Sequence, residues 1–201
     1  MNIKRKTVMA LTGLSREQFD KCIRYDQLPF LVSPEEEVQA MLPEPLRTEG
    51  SGYSLRDALQ IVVAQDLARS YWHTGTDLKA ASRIVRTGWR QIVANIPRLD
   101  TDRRADEIWI GTIIRRGYPQ AIAEEEIFGR NEKARELLEG LEPVLVNSLP
   151  QLMASAIEWD DDYEAEIARV VAANVNGALR LFKARAHRYA IQLPETLDWI
   201  A

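Results

Sequence analysis

Residues 10–30 read ALTGLSREQFDKCIRYDQLPF, and they pose a choice between a helix that offers a cationic flank to a ligand and a helical hairpin that merely carries charge. Lys6 to Leu11 is expected to form a short first helix, broken at Thr12-Gly13. Ser15 then caps a second: its hydroxyl accepts from the Gln18 backbone N–H while the Gln18 side chain reaches back, a reciprocal capping box. Phe19, Cys22 and Ile23 stand at i, i+3 and i+4 and share one buried face. Arg16, Glu17, Asp20, Lys21 and Arg24 are left on the other. Leu28-Pro29 ends the helix, because proline restricts the residue before it and donates no hydrogen bond.

Outward from this stretch the pattern changes. Leu31 to Gly52 holds three prolines, two glycines and the acidic cluster Glu35 to Glu37, an excursion expected to contain two short strands with an insertion between them. Ser54 to Asp57 is a second capping box. It opens a helix with Leu55, Ala58, Leu59, Val62, Val63 and Leu67 inward, running to about Trp72. Past Gly75 a further helix spans Asp77 to about Val93, with Leu78, Ala81, Ile84 and Val85 inward. NIPRLDTDRRAD reads as a linker.

The remainder is α+β in character. EIWIGTIIRRGYPQAIA is rich in β-branched and aromatic residues and carries the turn Arg116-Gly117-Tyr118-Pro119, so a hairpin is expected. Glu132 to Leu141 reads as helix, PVLVNSL as a short buried strand and Leu149 to Glu158 as helix. Asp160 to Ala190 shows an apolar stripe through Ile167, Val170, Val171, Val175, Leu179 and Phe182. That stripe predicts one long amphipathic helix of roughly 45 Å, free to seek a partner.

The 201 residues are 46% hydrophobic and 28% charged, which is ordinary globular composition. No apolar run approaches the roughly 20 residues that cross a bilayer, and MNIKRKTVMALTGLS lacks a signal peptide's apolar stretch and cleavage site, so no membrane and a cytoplasmic location are expected. The net charge of -4 is unevenly placed: residues 1–98 sum to +3 and residues 99–201 to -7. Electrostatics therefore permits a polyanion at the first end and discourages one at the second.

The order short helix, tight turn, capped helix, extended excursion and two helices split by a glycine is that of a winged helix-turn-helix. MALTGLSREQFDKCIRYDQLPF and GSGYSLRDALQIVVAQDLARSYWHTGTDLKAASRIV together resemble the DNA-binding domain of the MerR family and its excisionase-like relatives. Gly13, Leu14, Ser15, Leu28, Pro29, Gly52, Tyr53, Ser54, Asp57, Gly75 and Leu78 carry the likeness, over about residues 5–95. Where the family has Leu-Arg-Tyr-Tyr in its recognition helix, this chain has Phe19-Asp20-Lys21-Cys22. Asp20 is thus expected near phosphates, ordering Arg16 or Arg24, or accepting from a cytosine amino group.

The resemblance implies a winged helix-turn-helix domain at 1–95. With the linker at 96–105 and the α+β pattern of 106–201, read as a dimerisation, sensor or interaction domain that ends in the long helix, a mainly α fold with small β elements is expected. The resemblance also implies a transcriptional regulator that binds duplex DNA. A homodimer is expected because a lone helix-turn-helix reads only a half-site and the long helix has an unspent apolar stripe, and no enzyme is expected because no catalytic motif or glycine-rich phosphate loop stands in the chain. Ser15 and Arg16 are then phosphate contacts at the helix N-terminus, and Gln18, Lys21 and Arg24 face the groove. Tyr25, Arg47 from the wing, and Lys4 and Lys6 from an N-terminal arm reach phosphates. A small-molecule effector or protein partner at the second domain is left open, and so is the alternative of a phage-derived or antitoxin-like module whose helix-turn-helix contacts another protein.

Other motifs point to no chemistry. Cys22 is read as a small core residue, and the acids of WDDDYE, at 159–164, as dipole-matched charges before a helix. His73 and His187 have no nucleophile in an interpretable setting, and neither metal nor cofactor is expected. Trp72, Trp89, Trp109 and Trp159 are read as packing residues. Trp199, in the tail LPETLDWIA, is expected to dock on its own domain or on a second subunit.

Overall fold

A computed structural model describes residues 2–31, 51–70, 78–99, 103–115, 144–155 and 167–201. Within them the chain is mainly helical, with two small antiparallel sheets. The elements are β1 (Asn2–Lys4), α1 (Arg5–Thr12), α2 (Arg16–Arg24), β2 (Ser51–Ser54), α3 (Leu55–Ser70), α4 (Leu78–Ala94) and the single turn α5 (Ile96–Leu99). They continue with β3 (Trp109–Arg115), β4 (Val144–Asn147), the helical segment α6 at 149–155, β5 (Ile167–Asn174) and α7 (Val175–Arg188).

The first sheet joins the chain's start to the entry of α3. Asn2 pairs with Ser54 and Ile3 with Tyr53, and both Ile3 and Tyr53 are buried. The N-terminal arm expected of Lys4 to Lys6 is therefore a strand and a helix start, fixed by backbone pairing. At the far end of β2 the Ser54–Asp57 capping box forms as read: the Ser54 N–H donates to Asp57 Oδ2 at 2.7 Å, and the Asp57 N–H to Ser54 Oγ at 3.1 Å.

The second sheet has the order β4-β3-β5. Over Trp109–Thr112 the two edges of β3 are taken by β4 and β5, so its partners there are distant segments. Residues 116–143, on which the turn, the second hairpin arm and the helix at Glu132 to Leu141 are expected, lie outside the described residues. Helix α4 packs on β3 and β4, and α3 on β5. The approach is close at Gly88, where an added Cβ would stand 2.7 Å from Ile110 Cδ1 and 2.9 Å from Val144 Cγ1.

The long helix expected over Asp160 to Ala190 is not formed. Residues 167–174 are β5, and α7 begins at Val175. The β-branched Ile167, Val170 and Val171 suit a strand better than a helix, and Asn174 sets the boundary by accepting from the Gly177 N–H at 2.9 Å as an N-cap. The apolar stripe is likewise not left for a partner. Val175, Leu179, Phe182 and Ala186 are buried in one cluster that also holds Val8, Leu11, Leu59 and Leu67.

Two asparagines tie this junction to the segment before β3. The Asn176 Oδ1 accepts from the Ile108 N–H at 2.8 Å, while its Nδ2 donates to the carbonyls of Arg98 and Leu99, each at 2.9 Å. Nδ2 of Asn174 donates to Glu107 at 2.5 Å, and Arg180 donates to the same carboxylate at 2.8 Å. The C-terminal tail docks on its own chain. Ile200 is fully buried, Trp199 stacks on Phe182 with centroids 5.5 Å apart, and the Trp89 indole N–H donates to the Ile200 carbonyl at 3.1 Å.

Candidate nucleic-acid interface

Helix α2 owes its position to its two ends. At the first, Gly13 adopts φ +73°, which an L-residue seldom does, and its N–H closes α1 on the Met9 carbonyl at 2.8 Å. The capping box follows: the Gln18 N–H donates to Ser15 Oγ at 3.2 Å and the Ser15 N–H to Gln18 Oε1 at 2.9 Å. At the other end Asp26 takes φ +50° and the Gln27 N–H returns to the Cys22 carbonyl at 2.8 Å.

The inward face is as read for Phe19, Cys22 and Ile23, all buried, with Phe19 edge-on to Tyr53 at 5.5 Å. Burial pushes the Cys22 thiol above its ordinary value against the smaller opposing effects of Lys21 and a backbone hydrogen bond, so the sulfur stays a neutral packing group.

Asp20 corrects the surface expected of this helix. It is 3% exposed, and its carboxylate meets the guanidinium of Arg5, itself 6% exposed, in a buried, hydrogen-bonded ion pair. Arg5 also lies over the Phe19 ring, 5.0 Å from its centroid. Asp20 therefore faces the start of α1 and not a phosphate or a base. The partner stands fifteen positions earlier, beyond the reach of a helical-spacing argument.

With Asp20 withdrawn, the exposed flank of α2 carries Arg16, Glu17, Gln18, Lys21 and Arg24, with Ser15 before it and Tyr25 and Asp26 after it, all exposed. Three cations thus face two acids, Glu17 and Asp26. Lys4 and Lys6 are exposed on either side of the buried Arg5. The Ser15 hydroxyl and the Gln18 side-chain carbonyl are engaged in the cap, which leaves the Gln18 amide nitrogen as its group for an external acceptor. Arg47, with the rest of residues 32–50, lies outside the described residues, as do Trp72, His73, Trp159 and the 159–164 acids.

Sequence reasoning missed a second cationic feature beside this flank. Helix α4 carries Lys79, Arg83, Arg86 and Arg90 and no acidic residue. It abuts the exit of α2, where Ser82 Oγ donates to the Gln27 carbonyl at 2.7 Å and Arg86 to the Leu28 carbonyl at 2.9 Å. Its spacing was available in the sequence as four cations uninterrupted by acid.

Elsewhere, a cleft of about 210 Å³ between α3 and α7 is lined by Val62, Gln65, Asp66, Arg69, Leu181 and Arg185. Among the described residues no group of three His, Cys, Asp or Glu is placed to hold a metal ion, and no helix is long and apolar enough to cross a membrane. Comparison of the chain with protein-family models, curated proteins and solved structures finds no match.

Proposed function

We propose that this chain is a cytoplasmic, MerR-like winged helix-turn-helix regulator that binds duplex DNA as a homodimer through the helix starting at Ser15. The observation that carries the reading is the outward, cationic flank of α2 together with the removal of Asp20 into the core, which takes the most awkward negative charge off the surface offered to phosphates. Arg16 then sits where backbone amides and the helix dipole favour an anion, and Lys21 and Arg24, exposed and about 60° apart around the axis, lie further along the helix. The homodimer rests on half-site geometry, because a lone reading helix covers only part of a two-fold operator. The reading assigns the chain no catalysis.

The test is duplex selection and binding across a salt series. Arg16→Ala and Lys21→Ala should each weaken binding by about 1 kcal/mol, roughly fivefold, without unfolding the protein. Retention of no duplex sequence, or full affinity in both variants, would reject the reading. A shallow salt dependence would instead favour a protein-interaction module, since only phosphate neutralisation releases condensed counterions. Light scattering that finds a monomer at micromolar concentration would remove the dimer.

A further inference from the structure

We infer that the cleft between α3 and α7 is a binding site for a small organic monocarboxylate, its acid group met by Arg69 and Arg185 and its alkyl stem lying on Val62, Ala178 and Leu181. The inference is independent of the DNA-binding reading above. Along α3 the lining residues Val62, Gln65, Asp66 and Arg69 stand at i, i+3, i+4 and i+7; along α7, Ala178, Leu181 and Arg185 stand at i, i+3 and i+7. Each row keeps to one face of its helix and runs about 10 Å. Both begin on an apolar residue and end on an arginine. Burial first, and then the charge of Arg69, make Arg185 less basic than an ordinary arginine, so the two cationic ends lie together. The cleft is thereby sorted along its length, apolar at one end and cationic at the other.

Size, charge and surface select the ligand. The volume of about 210 Å³ falls below the roughly 300–1,000 Å³ of sites for drug-sized molecules, which suits a short chain and not a nucleotide. Two guanidiniums line the cleft against the one carboxylate of Asp66, which makes an interaction within the protein. The balance of one positive charge matches a single anionic group better than a dianion. Leu181 is 40% exposed, so the apolar end presents uncovered surface of the kind an alkyl stem removes from water. Donors suited to a carboxylate stand at the other end. Arg185 commits Nη1 to the carbonyls of Leu11 and Thr12 and carries further N–H groups on Nε and Nη2, while Arg69 is exposed at the rim. Because the Arg185 guanidinium also lies beside Gly13, occupancy of the cleft is felt at the turn before α2.

The experiment titrates the full chain, followed by amide nitrogen–proton correlation spectra, with butyrate, hexanoate, hexanamide and inorganic phosphate. Both carboxylates should shift the amides of Gly177, Ala178 and Gly13 saturably. Hexanoate should bind about 15-fold tighter than butyrate, which is roughly fourfold for each of two added methylenes. Hexanamide, of the same shape without the charge, should bind at least about tenfold more weakly than hexanoate. Arg69→Gln should weaken hexanoate by about tenfold while the melting temperature of the unliganded protein holds, and Arg69→Lys should restore part of the loss. Failure of both carboxylates to saturate these shifts below about 10 mM would overturn the inference. So would hexanamide binding as well as hexanoate, which would mark a merely apolar cleft, or phosphate binding tighter than hexanoate, which would make it a phosphoryl site. Full hexanoate affinity in Arg69→Gln would overturn it as well. None of these outcomes depends on whether the chain binds duplex DNA.

Discussion

Asp20→Ala is the perturbation that most sharply separates a core role for this residue from a role at the DNA surface. It leaves the Arg5 guanidinium inside the protein without the carboxylate it meets, and removing one partner of a buried pair typically costs about 3–5 kcal/mol. At about 2–4 °C per kcal/mol for a chain of this size, the melting temperature should fall by about 6–20 °C. Such a loss is a large share of the roughly 5–15 kcal/mol that holds most proteins folded. The double variant Arg5→Met/Asp20→Leu, which fills both volumes without charge, should recover much of it, less the contact that Arg5 makes over Phe19. Thermal and urea melts of wild type, Arg5→Met, Asp20→Leu and the double variant, arranged as a double-mutant cycle, give the coupling. Duplex affinity, measured cold so that the single variant stays folded, should change little. A melting temperature within about 2 °C of wild type, accompanied by tighter duplex binding, would refute the reasoning, because that is what deleting a surface negative charge beside phosphates would do.

Glu107 gives a pH prediction. Burial pushes its carboxyl up, but the hydrogen bonds from Asn174 and Arg180 and the charges of Arg180 and Arg104 outweigh burial and hold it below its ordinary value. A depressed folded value contributes stability that is present above the unfolded value of about 4.3 and is lost as pH falls through the folded one. Glu107→Gln should therefore lower the melting temperature at pH 7 and flatten its decline in acid; an unchanged acid limb would argue against the pair. Two glycines should rank by what an added methyl meets. Gly111→Ala drives Cβ to 2.3 Å from the Val171 carbonyl oxygen, which is backbone, whereas Gly88→Ala meets side-chain ends on Ile110 and Val144. Melts should show the larger loss at Gly111, with about 1–3 kcal/mol of overpacking at Gly88 partly offset by alanine's helix propensity.

Local hydrogen bonding made part of this molecule readable. The boxes at Ser15–Gln18 and Ser54–Asp57 involve groups three residues apart, so residue type alone predicts them, and both form. Likewise the inward trio Phe19, Cys22 and Ile23 follows from helical spacing. What stayed hidden needed a distant partner. β1 is three residues long and exists because Ser51–Ser54 lies beside it, and β3 is held at both edges by segments dozens of residues away. The stripe over Asp160 to Ala190 misled for another reason: Val170, Val171, Val175, Leu179 and Phe182 keep a near-helical rhythm across a strand-to-helix junction. Asn174, the capping residue inside it, was the local sign of the break. Of the candidate site, the outward position of Arg16, Lys21 and Arg24 was legible, and the burial of Asp20 was not.

The chain's last helix bears on the attitude of α2 through a contact that neither end of the sequence announces. Arg185, near the C-terminal end of α7, donates to the carbonyls of Leu11 and Thr12 at 3.1 and 2.8 Å, and so supplies donors to the terminal turn of α1. Its guanidinium also fills the space beside Gly13, where a Cβ would stand 3.1 Å from Nη2. Burial, and then the charge of Arg69 across the cleft, make this guanidinium less basic than an ordinary arginine, yet it remains a cation at the negative end of a helix dipole. The direction in which α2 leaves the turn is thus fixed by α1, by the left-handed glycine and by α7 together. A shift of α7 must either break the two hydrogen bonds or carry the turn, and with it the cationic flank of α2, along. In this arrangement α7 is a structural support of the turn from which α2 departs.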